Sequence, residues 1–543
     1  MVIILSILGN FVADVKARIT FTFKDNSQFT LESSSYNDNT HTGLNNYCTG
    51  LTLKEQLFKN SSNNVVGDIV GNTLSLSIVS NDRKLIPQNV SSDYAGMMDD
   101  TAYIDITFLS SYEYEDDQQN KITVTDEEEY MGRYYVETWE GGTEASRSNE
   151  VSICAVDLFS KIKNIPLDDI KLVRNCHFID YIINIRNKIN GLMPASMQIS
   201  SNDDYIDIFR NSPYRWEMVF NNIDRDTVEV MFNAIASDTI SWIWIDRNRN
   251  IVTDHLLDDI STDVVYELSG STNLLSYNTT AGAVNKYQGV EVQYINSVSV
   301  VDDKLVSMNG TTLDMHDNVI EKVKMNKSNV LNIDTCVTNN QAVSVKPLSW
   351  YKDSINLSVY NDAYYGAFDI DIYGSYLEEK YNTITKLLTS PDDNNYNQGN
   401  IIKVTNRVLN ADIIDKYSDG LLMMLQCKNN QISCEGYINP KLKCGNDVHF
   451  VGSKLNVDGV YKVSGLEFSL SGSSYKVKCD IIKIESVVED LDSLFNQQVN
   501  LLYNAVYSNN NVDPELVNDL TEVGNDRVVA AYGSNLESLE QSI

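Results

Sequence analysis

The sequence predicts a mainly β chain with α+β insertions and a helical C-terminal tail, and three observations carry that expectation. Apolar residues recur at every second position through most of residues 1–160. Helical spacing appears only in short stretches set between further strand patterns. Past Glu485 the apolar rhythm changes to about 3.5 residues within a strongly acidic segment. At 543 residues the chain has room for three or four domains, each with a core of its own, and needs no disulfides to fold.

Taken in order, "MVIILSILGNFVADVKA" has an apolar start but no basic region before it, its first positive charge being Lys16. It is too short to span a bilayer and reads as an entry strand or packing segment. From Ala17, Ile19, Phe21 and Phe23 alternate, Asp25-Asn26-Ser27 turns the chain, and Phe29 and Leu31 alternate on the way back, as in a hairpin with one apolar face. Leu74, Leu76 and Ile78, then Ile104, Ile106 and Phe108, repeat the period of two, so a barrel or sandwich is expected over 1–160. "MGRYYVETWE" leads through a polar break into "EVSICAVDLFSKI", a strand that ends at Asp157 and turns directly into a helix. An α+β domain over 161–265 follows. Ile170, Phe178, Ile182, Ile185 and Ile189 lie at helical spacing before Gly191 as a stop. Asp226 is a candidate cap for a helix carrying Val228, Met231, Phe232 and Ile235, which gives way to a hairpin through Trp242–Ile245 and Ile251-Val252.

Residues 266–400 open on a strand with Val290, Val292 and Tyr294; the tract from Lys304 to Asn400 has no strong pattern and is expected to be loops or an inserted subdomain. Residues 401–484 contain a strand, a helix with Ile413, Ile414, Tyr417, Leu421 and Met424, and four or five short strands, which predicts a small closed β unit. The last segment, 485–543, holds eleven acidic residues and one Arg; Ile484, Val487, Leu491, Leu494 and Leu501, interrupted by Gln498, could form a helical seam between identical chains or lie on their own domain.

Charge and composition exclude several functions. Lys plus Arg number 42 against 75 Asp plus Glu, a net charge of −33, which opposes a broad nucleic-acid footprint and adhesion to anionic lipid. The eight cysteines form no C-x-x-C pair and read as buried free thiols, with Cys434 to Cys444 as the one disulfide considered. The five histidines are scattered, and no nucleophile elbow, Walker or dinucleotide-binding pattern occurs, so no catalytic residue, metal or cofactor is assigned. "DRNRN", with Asp246, Asn248, Asn250 and then Asp254, has oxygen ligands at alternate positions but lacks the glycine and closing Glu of a calcium loop, and a plain hairpin turn is the expectation.

The order of the pieces resembles the baseplate hub or tail hub proteins of tailed bacteriophages and related contractile injection systems. Gly132, Tyr134, Tyr135, Val136 and Trp139 match the "G-x-Y-Y-V-x-x-W" strand, Ala155 and Asp157 the strand end that enters a helix, and Asn406, Asn439-Pro440, Gly445 and Asp447 the stretch that opens the last β domain. The likeness covers about residues 17 to 484, with gaps. It implies two tail-tube-like antiparallel β-barrels per chain and a non-enzymatic homotrimer that presents a pseudo-sixfold ring to the tail tube and a threefold face to the tip. Such a ring would carry 3 × −33 = −99 charges and an acidic channel wall for exiting DNA. The implied partners are a tail tube protein or distal tail ring, the C-terminus of a tape-measure protein, and tip or fibre proteins. DNA would only pass through, no membrane would be entered, and the place would be the virion tail after assembly in the host cytoplasm. The competing expectations are a tip adhesin that binds host glycan through the 31 Tyr and five Trp, and a tail-associated cell-wall hydrolase, for which the last 59 residues leave too little chain.

Overall fold

The computed structural model describes residues 12–34, 46–58, 67–87, 89–92, 94, 96–97, 101–115, 121–141, 149–167, 173–202, 217–220, 227–256, 266–270, 272–280, 289–328, 330–350, 353–387, 401–406, 414–415, 417–422, 431–452, 457–471 and 474–483. The chain divides into Met1–Ile484 and Glu485–Ile543, and all described residues belong to the first unit. The tail seam (Ile484, Val487, Leu491, Leu494, Leu501) therefore lies outside them, as do Ile170, Asp226, Ile413 and Met424.

The N-terminal strands are β1 (Val12–Thr22), β2 (Gln28–Ser34), β3 (Asn46–Gln56), β4 (Thr73–Ser80), β5 (Tyr103–Glu115), β6 (Lys121–Gly141) and β7 (Glu150–Val156), all antiparallel to their neighbours. Their period of two sets one face inward: Ala17, Ile19, Phe21, Leu51, Leu53, Leu74, Leu76, Ile104, Ile106 and Ile153 are buried. The β1–β2 turn forms where its residues call for it, with Asn26 at φ 63° and the Ser27 amide donating to Asp25 Oδ1 at 2.9 Å. Helix α1 (Leu158–Ile162) follows β7.

Next come β8 (Val173–His177), α2 (Phe178–Leu192), β9 (Glu217–Phe220), α3 (Val228–Thr239) and the hairpin β10 (Ser241–Ile245) and β11 (Ile251–His255). Helix α2 runs one residue past Gly191 and buries Ile182, Ile185 and Ile189. Helix α3 buries Val228, Met231, Phe232 and Ile235, and its cap is Thr227, whose hydroxyl accepts from the Val230 amide. The cap thus falls one residue after Asp226, because Thr227 is the residue with extended backbone at the helix start.

Strands β12 (Tyr266–Ser269) and β13 (Leu274–Thr280) lead to a long ribbon, β14 (Gly289–Thr311), which is interrupted by β15 (Asn318–Lys324), β16 (Val330–Thr338), β17 (Val343–Trp350) and β18 (Ser354–Asn361) before it closes with β19 (Phe368–Leu387). The tract read as loops or a subdomain is therefore largely strands. A four-stranded sheet, β16-β19-β14 with β20 (Ile401–Asn406), and a three-stranded sheet, β15-β18-β17, enclose a separate core of Leu305, Ile355, Leu357, Phe368, Ile370 and Ile372. The base of the ribbon, Val290 and Val292, belongs instead to the main core.

Helical residues 414, 415 and 417–422 bury Ile414, Tyr417 and Leu421, and the chain ends in β21 (Gln431–Gly436), β22 (Asp447–Gly452), β23 (Val457–Ser471) and β24 (Ser474–Ile482). These strands do not form a sheet of their own. They continue the N-terminal one in the order β13-β21-β24-β23-β3-β4-β7-β6-β5-β1-β2, with β22 on β23 and β12 on β22, thirteen strands in all. Strand β23 makes the join. Val457–Lys462 pair with β22, and Gly465–Ser471 pair with β3. A bulge at Ser464 separates the two partners: its carbonyl accepts from Leu57 N at 3.0 Å, and its hydroxyl donates to the Asp480 carbonyl at 3.0 Å.

Across this join the two faces of the sheet differ. One carries Leu53, Leu74, Phe468 and Val477, all buried. The other carries Thr52, Ser75, Ser77, Ser152 and Cys154, all exposed, with Lys54, Glu467, Lys478 and Glu435 in register across four strands as alternating charges. Each such opposite-charge pair adds about 0.2–1 kcal/mol. Exposed Cys154 and half-buried Cys336 correct the expectation of uniformly buried thiols; Cys48, Cys434, Cys444 and Cys479 are buried, and all of these thiols are free, Cys434 and Cys444 among them. Among the described residues, no helix is long and apolar enough to cross a membrane.

Candidate functional site

Of the residues singled out by motif, Gly132, Tyr134, Asn439, Pro440, Gly445 and Asp447 lie around the place where β3, the β10–β11 hairpin and the segment before β22 meet, and Tyr135, Trp139 and Asn406 lie elsewhere. The turn Asp246–Asn250 is tied within itself: Asp246 Oδ1 accepts from the amides of Asn248 (2.9 Å) and Asn250 (2.7 Å), and its Oδ2 accepts from Asn250 Nδ2 (2.9 Å). Arg249 completes the turn at φ 66°. This is a hairpin turn whose Asp serves the backbone. Asp254 pairs instead with Lys462 at 2.9 Å, and Lys462 with Asp447 at 3.0 Å.

The turn holds Arg247 in the interior. Its Nε donates to Glu55 Oε1 at 2.7 Å and its Nη2 to Oε2 at 3.1 Å, while Nη1 donates to the Pro440 carbonyl at 2.8 Å and Nη2 to the Leu442 carbonyl at 2.9 Å. Both side chains of the pair are only 5% exposed. In water such a pair is worth little, but here the planar fork is matched to a carboxylate and two backbone oxygens at once, which fixes three segments in one geometry. Burial works against the guanidinium charge, and the Glu55 carboxylate outweighs it, so the charged form is held more firmly than in water. Phe468 of β23 lies under the guanidinium at 5.5 Å and meets Phe108 of β5 edge-on at 5.9 Å.

The acidic run of β6 closes the joint from the other side. Glu127 pairs with Lys441 at 2.6 Å, and Glu129 with Lys443 at 3.3 Å and with Arg247 at 3.6 Å. Beside the pair opens a cleft of about 310 Å³, lined in part by Asn72, Trp244, Asp254, Lys443 and Lys462.

Two glycines of the motif are needed here for shape. Gly132, beside Arg247, is required by its φ of 115°, and Gly445, at φ 86°, would also place an added Cβ 2.8 Å from the Trp244 ring. Tyr134 is fully buried, its hydroxyl donating to the Met131 carbonyl at 3.1 Å; Tyr135 donates to the Ser196 carbonyl at 2.6 Å. Trp139 donates to the Leu85 carbonyl at 2.8 Å and packs on Phe21. Asn439, 1% exposed, turns the chain before Lys441, accepting from its amide at 3.0 Å. Asn406 sits apart from this joint: its Nδ2 donates to the Asp238 carbonyl at 3.0 Å, fastening β20 to the end of α3. Glu55, Arg247, Glu127, Lys441, Lys443 and Lys462 were not flagged by any motif.

Asp157 performs the strand-to-helix turn. Its Oδ1 accepts from the Ser160 amide at 3.0 Å, capping α1, and its Oδ2 from the Asn72 amide at 2.8 Å. Burial pushes this carboxyl up to about 6, against the lowering effect of those two amides. A raised acid binds its proton more tightly folded than unfolded, so its contribution is fully present below the ordinary value of 3.8 and is lost as the pH rises through about 6. We expect Asp157→Ala to destabilise the protein by about 1–3 kcal/mol at pH 5 and by less at pH 7. Urea unfolding at both pH values checks this, and an equal loss at the two would contradict it.

No group of three or more His, Cys, Asp or Glu is placed to hold a metal among the described residues. Of the histidines, His449 lies 2.6 Å from Asp458, and His316 lies 3.9 Å from Asp362. The arrangement at the joint ties β3, the β10–β11 hairpin and the segment before β22 to one another.

No family model matches the chain, and no curated protein matches it. Solved structures similar to it include a tail protein from Neisseria meningitidis, at 8% identity and a TM-score of 0.43 over 86% of this chain and 96% of that one. A 43 kDa tail protein of a Shewanella oneidensis prophage gives 8% and 0.43 over 86% and 98%. A prophage tail protein from Listeria monocytogenes gives 8% and 0.40 over 89% and 98%.

Proposed function

We propose that the chain is a structural hub of a phage tail baseplate or tail tip, three copies of which form a ring joining the tail tube to the tip and lining the path of DNA. The observation that carries the proposal is the β3–β23 pairing. It lays an N-terminal and a C-terminal set of strands side by side in one sheet, as neighbouring subunits of a tube would lie, but within one polypeptide. Three such chains supply six modules. The motif positions Gly132, Tyr134, Asn439, Pro440, Gly445 and Asp447 cluster around the fastening of those modules, which supports a structural role for them.

The open face supports the placement of a channel. Its hydroxyls and its alternating Lys54, Glu467, Lys478 and Glu435 leave no continuous basic row for phosphates to hold, and the net charge of −33 repels them further. On this reading the tube protein, the tape-measure C-terminus and tip proteins are its partners, and the virion tail is its location. Native mass measurement of the purified chain is expected to give a trimer, and electron microscopy a ring with an axial passage. A heavy-atom cluster on exposed Cys154 is expected on the inner wall. A monomer at high concentration, or a label on the outside of the ring, would overturn the proposal.

A further inference from the structure

Among the described residues, one pair of cysteines lies directly opposite across two strands. Cys434 of β21 is in register with Cys479 of β24, in a ladder that runs from Gln431 and Ile482 to Gly436 and Val477 without a shift. The other strand cysteines face different residues: Cys48 faces Ile78, Cys154 faces Ser75 and Thr138, Cys176 faces Met218, and Cys336 faces Ile372. Cys444 precedes β22 and belongs to no ladder.

Opposite residues of an antiparallel pair project their side chains to the same face, here the buried one: Cys434 is 2% exposed and Cys479 not at all. The Cα atoms of such a pair lie about 4.5–5.5 Å apart, and a disulfide takes about 4.4–6.8 Å, so the backbone spacing already suits the bond. Cys434 leans across to its partner strand, its Sγ donating to the Cys479 carbonyl at 3.3 Å. Burial pushes the Cys479 thiol well up, and the Cys434 thiol beside it adds to the effect, so this sulfur stays protonated while the ladder is closed.

We infer that Cys434 and Cys479 are a redox pair, two thiols in a reducing compartment and a cross-strand disulfide in an oxidising one. The oxidant is a small disulfide such as oxidised glutathione. When β21 opens, the thiolate of one cysteine attacks it, taking on one glutathionyl group and releasing one reduced glutathione. The thiolate of the other cysteine then attacks the protein sulfur of that mixed disulfide and expels the second. Each thiol gives up its proton, and the chain loses two electrons to the glutathione. The bond staples β21, second from one end of the thirteen-stranded sheet, to β24, whose other neighbour is the joining strand β23. It links positions 45 apart in sequence, which narrows the unfolded ensemble and stabilises the oxidised form. The inference does not depend on the hub reading.

The test incubates the full chain with oxidised glutathione, once in buffer and once in urea below the unfolding midpoint, where local opening frees β21. Alkylation, proteolysis and mass spectrometry then locate the bonds. A linked Cys434–Cys479 peptide is expected from most chains in urea and, more slowly, in buffer, and dithiothreitol is expected to restore both thiols. The purified linked chain is expected to unfold at a higher urea concentration than the reduced chain. Cys434→Ser and Cys479→Ser, each checked for its fold by circular dichroism, are expected to show neither the link nor that upward shift. Cys434 and Cys479 left as thiols under both conditions, a lasting glutathione adduct on either, or a link from either to Cys444 would overturn the inference. So would a linked chain no more resistant to urea than the reduced one.

Discussion

Arg247→Ala is expected to destabilise the protein by about 3–5 kcal/mol, because it leaves the Glu55 carboxylate buried without its cation and strips donors from the Pro440 and Leu442 carbonyls. Glu55→Ala should cost a similar amount, since a guanidinium 5% exposed would then keep only the more distant Glu129 as a carboxylate partner. The double change Arg247→Met/Glu55→Leu separates the charge from the packing. It removes both ions together and is expected to lose much less than either single change, as replacement of buried ion pairs by apolar residues is often neutral. Urea unfolding followed by circular dichroism measures all three. If Arg247→Ala fell within 0.5 kcal/mol of the parent, a value typical of exposed positions, the joint would not be the fastening described.

Phe468→Ala carries the next largest expected effect. Phe468 is fully buried on β23, lies under Arg247, and meets Phe108 of β5, so its ring belongs to both halves of the sheet. Truncating a buried Phe costs about 3–5 kcal/mol. Because the two rings are in contact, Phe108→Ala and Phe468→Ala should not be additive, with a coupling of about 0.5–1.5 kcal/mol. The same logic predicts one unfolding transition for both halves in the parent. Two separate transitions, or strictly additive losses, would mean that the halves fold independently and merely touch.

The sequence made some of this legible and hid the rest for physical reasons. The β1–β2 hairpin was readable because one face is buried and the other wet, so Ile19, Phe21, Phe29 and Leu31 stand out against polar neighbours, and Asp25-Asn26 marks the turn. The ribbon β14–β19 was not. In β15 six of seven residues are exposed, so that strand shows no inward alternation; the alternation that exists, Ile355-Leu357-Val359 and Phe368-Ile370-Ile372, is confined to short runs between such strands. The cap of α3 was missed by one residue because Asp226 and Thr227 are both good caps and only backbone geometry chooses between them. Arg247 lies inside the DRNRN stretch, but its partner Glu55 is 192 positions away, and a single sequence carries no signal linking them. Gly132 and Gly445 were visible as motif members, but their reason, a positive φ beside Arg247 and Trp244, comes from the fold.

The two cores have a consequence for how such a chain can change. Among the described residues the lobe closes on its own apolar residues and meets the main core at the paired stem of β14 and β19, so substitutions inside it are expected to leave the stability of the thirteen-stranded scaffold unchanged. On that expectation the lobe could be trimmed or exchanged at the stem while the scaffold stays as it is.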